Sequence, residues 1–158
     1  MKQKILIIFF LISFNAFSQE NSKIDFISFK YSNTSVAFSE VEISIIENQN
    51  FGKKTFNLEA KYYEYNKQKK KKTIISEQDF NKIIDAVYKI NNSDLIENFS
   101  SGLDGSTTKL EFGKIFYNSI IFKLWSVHKN QTNTNIKSFI EAIQLILKIS
   151  EINIEDYN

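Results

Sequence analysis

The chain has 158 residues, and its sequence contains 20 lysines and 18 acidic residues but neither arginine nor cysteine. Without arginine, no side chain can bind a phosphate or carboxylate through a planar, bidentate guanidinium group. Without cysteine, disulfides and thiol catalysis are excluded, so stability must come from one apolar core, which a chain of this length can bury.

Residues 1–18 have the three parts of a secretory signal peptide. Lys2 and Lys4 form a positive start, an apolar stretch runs from Ile5 to Phe14, and Ala16-Phe17-Ser18 places small residues at the cleavage positions. The apolar stretch is too short to span a bilayer, which takes about 20 residues. We therefore predict export to the periplasm or the medium, without a stable membrane anchor.

Cleavage would change the net charge of the protein. Lys2 and Lys4 would leave with the signal, so 18 lysines would balance 18 acidic residues and the formal charge would fall from +2 to zero. Domains that bind nucleic acids normally carry a net positive charge. The sequence therefore argues against a nucleic-acid partner.

The exported part begins with a strand-rich segment. We expect residues 19–23 to be a disordered lead-in and residues 24–158 to form a single domain. Alternating apolar and polar residues predict three strands, at 24–31, 41–46 and 56–65. The lysine-rich segment that follows is expected to be a solvated loop.

The first predicted helix follows Ser76. Ser76 and Asp79 have the spacing of a capping box, which places the start of the helix at Ser76. An apolar stripe at helical spacing follows; it consists of Phe80, Ile83, Ile84, Val87 and Tyr88. Asn91-Asn92-Ser93 is expected to end the helix.

Two further strands and a second helix complete the domain. A loop at 97–106 leads to a short strand around residues 110–112, a tight turn at Gly113-Lys114 and a long strand at 115–127. An amphipathic helix is then expected to begin after Thr134; its stripe consists of Ile136, Phe139, Ile140, Ile143, Ile146 and Leu147. The order β-β-β-α-β-β-α predicts an α+β fold, with an antiparallel sheet of about five strands and both helices on one face.

Catalytic motifs are missing from the sequence. His128 is the only histidine, and we expect it to face solvent from a loop, without the adjacent nucleophile that a general base needs. Two carboxylates alone can cleave a glycosidic bond, and one cluster offers them: Asp94, Glu97, Asp104 and Glu111. We predict no catalytic residue, no metal site and no cofactor, and keep a carboxylate-based hydrolase of envelope polymers as the alternative.

The predicted binding surface combines the end of the third strand with the lysines after it. Tyr63 and Tyr65 are expected to share one strand face, where they would offer rigid aromatic contact area. The nearby lysines would steer an acidic partner towards them; they are Lys67, Lys69, Lys70, Lys71 and Lys72. Tyr117 and Trp125 are expected instead to fill the core from the long strand.

A glycine-containing loop is the alternative site. Gly102 and Gly105 flank Asp104 and would allow positive φ angles and a close approach of the backbone to a ligand. The loop lacks the oxygen donors of an EF-hand. A structural turn is the favoured interpretation.

Several short segments resemble small uncharacterised exported proteins of Bacteroidota, the flavobacteria and their relatives. They are Phe29 to Thr34, Gly102 to Thr107, Leu124-Trp125-Ser126, the helix from Ile143 to Ile149, and the signal ending Phe17-Ser18-Gln19. No activity is established for that family. The resemblance therefore implies lineage and compartment only, and transfers no functional residue.

Export, a neutral domain and few catalytic residues favour a non-catalytic binding module, such as an inhibitor or immunity-type protein. Its partner is expected to be another protein or an envelope component. Such a partner should meet an exposed apolar or aromatic patch of several hundred Å².

The signal peptide yields the first testable prediction. Mass spectrometry of the envelope or medium fraction should find a mature N-terminus at Gln19, because signal peptidase reads the small residues before it. Recovery of a soluble cytoplasmic protein that retains residues 1–18 would contradict export.

Overall fold

A computed structural model describes residues 24–50, 52–97, 102, 104–128 and 136–157. Six antiparallel strands form one sheet within these ranges: β1 (Phe26–Asn33), β2 (Val41–Asn50), β3 (Lys53–Glu64), β4 (Lys67–Ile75), β5 (Ser106–Lys114) and β6 (Asn118–Trp125). The helices are α1 (Glu77–Tyr88), α2 (Asn92–Glu97) and α3 (Lys137–Ser150), followed by a 3₁₀ turn at Glu155–Tyr157. The α+β class is therefore as predicted.

The strand order in the sheet is β4-β3-β2-β1-β5-β6, so β4 and β6 form its two edges. Strands β1 to β4 pair successively as hairpins, β5 and β6 form a further hairpin, and β5 joins the sheet by pairing with β1. The chain crosses from the β4 edge to β5 through α1 and α2. Every pairing is antiparallel.

The sheet has six strands, not the five predicted, because the lysine-rich segment is strand β4 and not a loop. Tyr65 and Asn66 both have positive φ angles, 51° and 60°. Two such residues make a tight hairpin turn, and Glu64 pairs directly with Lys67. The sequence pattern missed this strand because Tyr-Asn lacks the glycine that usually marks such a turn.

The predicted strand at 115–127 is also wrong. Strand β5 extends through Gly113 to Lys114, the chain turns at Ile115–Tyr117 with Phe116 at a φ of 69°, and β6 starts at Asn118. Tyr117 lies in this turn and is 85% exposed, so it does not fill the core.

Helix α1 begins as predicted. The Ser76 hydroxyl oxygen accepts a hydrogen bond from the Asp79 N–H at 3.0 Å and donates one to the Asp79 carboxylate at 2.7 Å. Four stripe residues are buried, whereas Tyr88 is exposed. Asn91-Asn92-Ser93 is not purely a stop signal, because Asn92 begins α2.

Helix α3 has a side-chain partner at its C-terminal end. No side chain caps its start, where Ile136 is the N-cap residue, and Thr134 lies outside the described residues. At its end, Lys71 Nζ donates a hydrogen bond to the Ser150 carbonyl oxygen at 3.1 Å and pairs with Glu151. A lysine of the edge strand therefore complements the negative end of the helix dipole.

The core lies between the helices and one face of the sheet. Phe56 and Phe80 stack with ring centroids 4.5 Å apart, and Phe122 meets Phe139 edge-on at 6.4 Å. The buried positions of α1 and α3 join this same cluster. We call the opposite side of the sheet the open face, because no described helix covers it. No helix in the described ranges is long and apolar enough to cross a membrane.

Truncation of a buried helix residue tests this packing. Ile143 is fully buried in α3, so Ile143→Ala should lower the free energy of unfolding by roughly 2–5 kcal/mol through a residual cavity. Ile96→Ala is the control, because Ile96 is 76% exposed and its loss should change stability by less than about 0.5 kcal/mol. Equal stability of both variants in chemical denaturation would mean that α3 does not pack as described.

Candidate functional site

The open face carries a row of lysines that crosses all six strands. The registers place one outward residue of each strand beside the next: Lys70, Lys61, Glu42, Lys30, Lys109 and Lys123, from β4 to β6. We call these six residues the lysine row. Adjacent strands lie about 4.8 Å apart, so the row spans roughly 24 Å.

The row brings like charges together. Lys61 lies opposite Lys70, and Lys109 lies opposite both Lys30 and Lys123. Like charges directly opposite each other in an antiparallel sheet are destabilising. Such repulsion lowers the stability of the fold. Either nearby acidic residues compensate for it, or the lysines have a function that requires them to lie together.

Three glutamates provide part of the compensation. Glu42 pairs with Lys30 and, at 3.1 Å, with Lys61. In the next row, Glu59 lies 2.7 Å from Lys70 and 3.1 Å from Lys72. Glu111 lies 2.8 Å from Lys109, which leaves six lysines against three glutamates in the two rows.

These lysines hold the glutamates in their charged form. Hydrogen bonds from Lys30 and then Lys61 lower the pKa of Glu42, and those from Lys70 and Lys72 lower the pKa of Glu59. The pKa of Glu111 is lowered chiefly by Lys109. None of these carboxyl groups can serve as a general acid near neutral pH, a role that needs a raised pKa.

The positive charge is concentrated near the β6 end. Lys123 makes no ion pair with any described residue. Its cross-strand neighbour Lys109 forms an ion pair with one glutamate, Glu111. A groove of about 420 Å³ opens beside them, with Lys30 and Lys61 also in its wall. The groove can therefore receive an anionic group without first breaking an ion pair at Lys123.

An aromatic pair borders the same groove. The rings of Phe38 and Tyr63 lie 5.3 Å apart, and Phe38 is 52% exposed. Tyr63 lines the groove. Apolar contact area and positive charge thus adjoin on the open face, as an interface for an acidic protein requires.

The structure divides the predicted binding residues between two surfaces. Tyr63, Lys70 and Lys72 lie on the open face, whereas Lys67, Lys69 and Lys71 alternate to the helix side of β4. Tyr65 does not share a strand face with Tyr63, because it lies in the turn and is 91% exposed.

Sequence reasoning missed Lys30, Lys61, Lys109 and Lys123. Each occupies a polar position of an alternating strand, and nothing in its local sequence distinguishes it from an ordinary solvated lysine. Only strand register brings these four residues into one row. The one usable signal covers two of them: Lys61 lies two residues from Glu59, and Lys109 lies two residues from Glu111.

The glycine loop has a structural explanation. A Cβ atom on Gly102 would lie 2.3 Å from the Trp125 ring, and one on Gly105 would lie 2.7 Å from it. Gly105 also exchanges hydrogen bonds with Thr34 at 3.0 and 3.1 Å. Three of the segments that carry the resemblance therefore meet at one end of the sheet, where the indole needs glycines beside it.

Two members of the carboxylate cluster, Asp104 and Glu111, lie far apart. Glu111 lies on the open face, and Asp104 lies seven residues earlier, on the order of 20 Å along extended chain. Asp94 is on α2, and the side chain of Glu97 lies outside the described residues. Among the described residues no group of three or more potential metal ligands comes together.

His128 contacts two polar side chains that the sequence analysis did not predict. Its Nε2 lies 3.2 Å from Ser126 Oγ and its Nδ1 lies 3.4 Å from Asp156, whose second oxygen accepts a hydrogen bond from the Tyr31 hydroxyl at 2.7 Å. His128 does lie in the loop after β6 with its side chain 45% exposed, as predicted, but the 3₁₀ turn also folds back onto it.

The order of Ser126, His128 and Asp156 matches that of a hydrolytic triad, but the N–H of Ser126 is already engaged within the sheet. A serine hydrolase also needs N–H donors aimed at the developing oxyanion. The Ser126 N–H instead donates to the Ser106 carbonyl oxygen at 2.7 Å, within the β5–β6 pairing. We interpret the contacts of Asp156 with His128 and Tyr31 as structural, because they hold the 3₁₀ turn against the sheet.

No protein-family model matches the chain, and a search of the curated proteins finds no significant match.

The hydrogen bond between Tyr31 and Asp156 predicts a loss of stability at alkaline pH. Burial, and then the hydrogen bond to Asp156, raise the pKa of Tyr31 from 10.0 to about 12. The contribution of neutral Tyr31 to stability is therefore complete below about pH 10 and lost as the pH rises towards about 12. Tyr31→Phe should flatten the fall in melting temperature across this window. Tyr88→Phe, at an exposed position, should leave the slope unchanged, and an unaltered slope in Tyr31→Phe would contradict the assignment.

Proposed function

We propose that this chain is an exported, non-catalytic binding module, of the inhibitor or immunity type, whose open face takes an acidic protein partner. One observation carries the proposal: the lysine row places five lysines and one glutamate in line across the whole sheet. Signal-peptide features in residues 1–18 support export.

The arrangement favours carboxylates as the recognised groups. Lysine binds anions as a point charge, and without arginine neither phosphate nor carboxylate can be bound in bidentate fashion. A protein surface offers several carboxylates at irregular spacing, which flexible lysines can follow. Phe38 and Tyr63 then add apolar contact area at the border of the charged region.

The hydrolase alternative gains no support at this groove. Its carboxylates are Glu40 and Glu42, and Glu42 is held ionised between two lysines. A glycosidase needs one carboxyl group that keeps its proton. The groove is therefore proposed to bind a partner and not to hydrolyse one.

Charge removal at the β6 end tests the proposal. The double variant Lys109→Gln/Lys123→Gln should bind immobilised polyglutamate about three- to tenfold more weakly at low ionic strength than the unaltered protein. Added salt should weaken binding of the unaltered protein more steeply than binding of the variant, because fewer screened ion pairs remain in the variant. Biolayer interferometry at several salt concentrations measures both effects.

The matched control removes the same charge from the other side of the sheet. Lys67→Gln/Lys69→Gln alters two lysines of β4 that face the helix side, so binding should stay within about twofold. Equal losses in the two double variants would mean that net charge, and not the open face, governs binding. Absence of polyglutamate binding at low salt would refute the proposed site.

A further inference from the structure

The two edges of the sheet differ sharply in charge. Strand β4 carries five lysines in nine residues, and lysines on an edge strand block pairing with another chain. Strand β6 has the sequence NSIIFKLW, with Lys123 as its single charged residue. Within the described ranges, β6 pairs only with β5. In the part of the chain that the structure describes, one edge is thus protected by charge and the other is not.

The β6 edge also exposes apolar side chains. Ile120 and Ile121 point to opposite faces and are 50% and 52% exposed. Helix α2 extends the apolar surface with Ile96, across a cavity of about 410 Å³ that it shares with β6. Exposed apolar residues grouped along an edge strand are typical of an interaction site.

Main-chain geometry identifies which residues could pair. The Ser126 N–H donates to the Ser106 carbonyl oxygen, so even-numbered residues of β6 form the hydrogen-bonded pairs with β5. The N–H and C=O groups of Ser119, Ile121 and Lys123 therefore point away from β5, towards the open edge. These three residues form the pairing surface.

We infer that β6 pairs with β6 of a second copy of this chain, in antiparallel orientation about a two-fold axis at Ile121. Ile121 would then face its own copy on the open face, and Ile120 would face Phe122 of the other copy on the helix side. Lys123 would lie opposite Ser119, so no like charges meet. Each of the three outward pairs exchanges two main-chain hydrogen bonds.

Other registers fit less well. A two-fold axis at Lys123 would place two lysines directly opposite each other, which is destabilising. An axis at Phe122 would place each Lys123 opposite an isoleucine. The axis at Ile121 is the register that joins apolar residues on both faces, and it extends the sheet and its open face into the second copy.

The first test is the oligomeric state. Sedimentation velocity across a concentration series should show the purified protein as a dimer in equilibrium with monomer. Ile121→Lys should raise the dissociation constant at least about tenfold, because two lysines would then meet at the axis. Ile74→Lys is the matched control: Ile74 is a 68% exposed isoleucine on the β4 edge, and its replacement should leave the dimer intact.

The second test reports the register itself. Since the chain has no cysteine, Ile121→Cys introduces a single thiol, which a short bifunctional thiol reagent should join to its copy because the paired Cα atoms would lie about 5.5 Å apart. Ile74→Cys should not cross-link. A protein that stays monomeric at every concentration, a dimer that persists in Ile121→Lys, or a dimer without cross-linking in Ile121→Cys would each overturn the inference. Polyglutamate binding is measured separately, so its failure is distinguishable from failure of the dimer.

Discussion

Burial of one face of the sheet is the constraint on which the rest of this structure depends. The apolar stripes of α1 and α3 need a common surface, and the inward residues of the strands provide it. Without disulfides or proline, this single core must hold the whole domain. Once it forms, the opposite face of the sheet is left mainly to polar residues, and its two edges stay exposed among the described residues.

The lysines have different roles according to the side they occupy. Lys71 points towards the helices, where it binds the end of α3 and Glu151. Its neighbours Lys70 and Lys72 point outward and share Glu59. The five lysines of β4 therefore protect the sheet edge, cap a helix and add charge to the open face. No single function describes all five.

Local patterns predicted much of the fold because they depend on neighbours in the chain. The capping box at Ser76 and the buried stripe of α1 follow from helical spacing alone. The same reasoning failed at the two hairpin turns, where Tyr65-Asn66 and Phe116 adopt positive φ angles without glycine. There the pairing of the flanking strands overrides the intrinsic preference of the turn residues. As a result, the sequence pattern did not predict strand β4 and placed the turn between β5 and β6 at the wrong residues.

The sequence by itself determined the α+β class, the two amphipathic helices, the lack of disulfides and the signal-peptide features of residues 1–18. Those properties are set by composition and by spacing within a dozen residues. The lysine row and the apolar β6 edge were decided only by the tertiary structure. Strand order and register bring Lys30 beside Lys109, although 79 positions separate them in the chain. Such alignment follows from which strands pair and on which face, and these choices are made when the core closes.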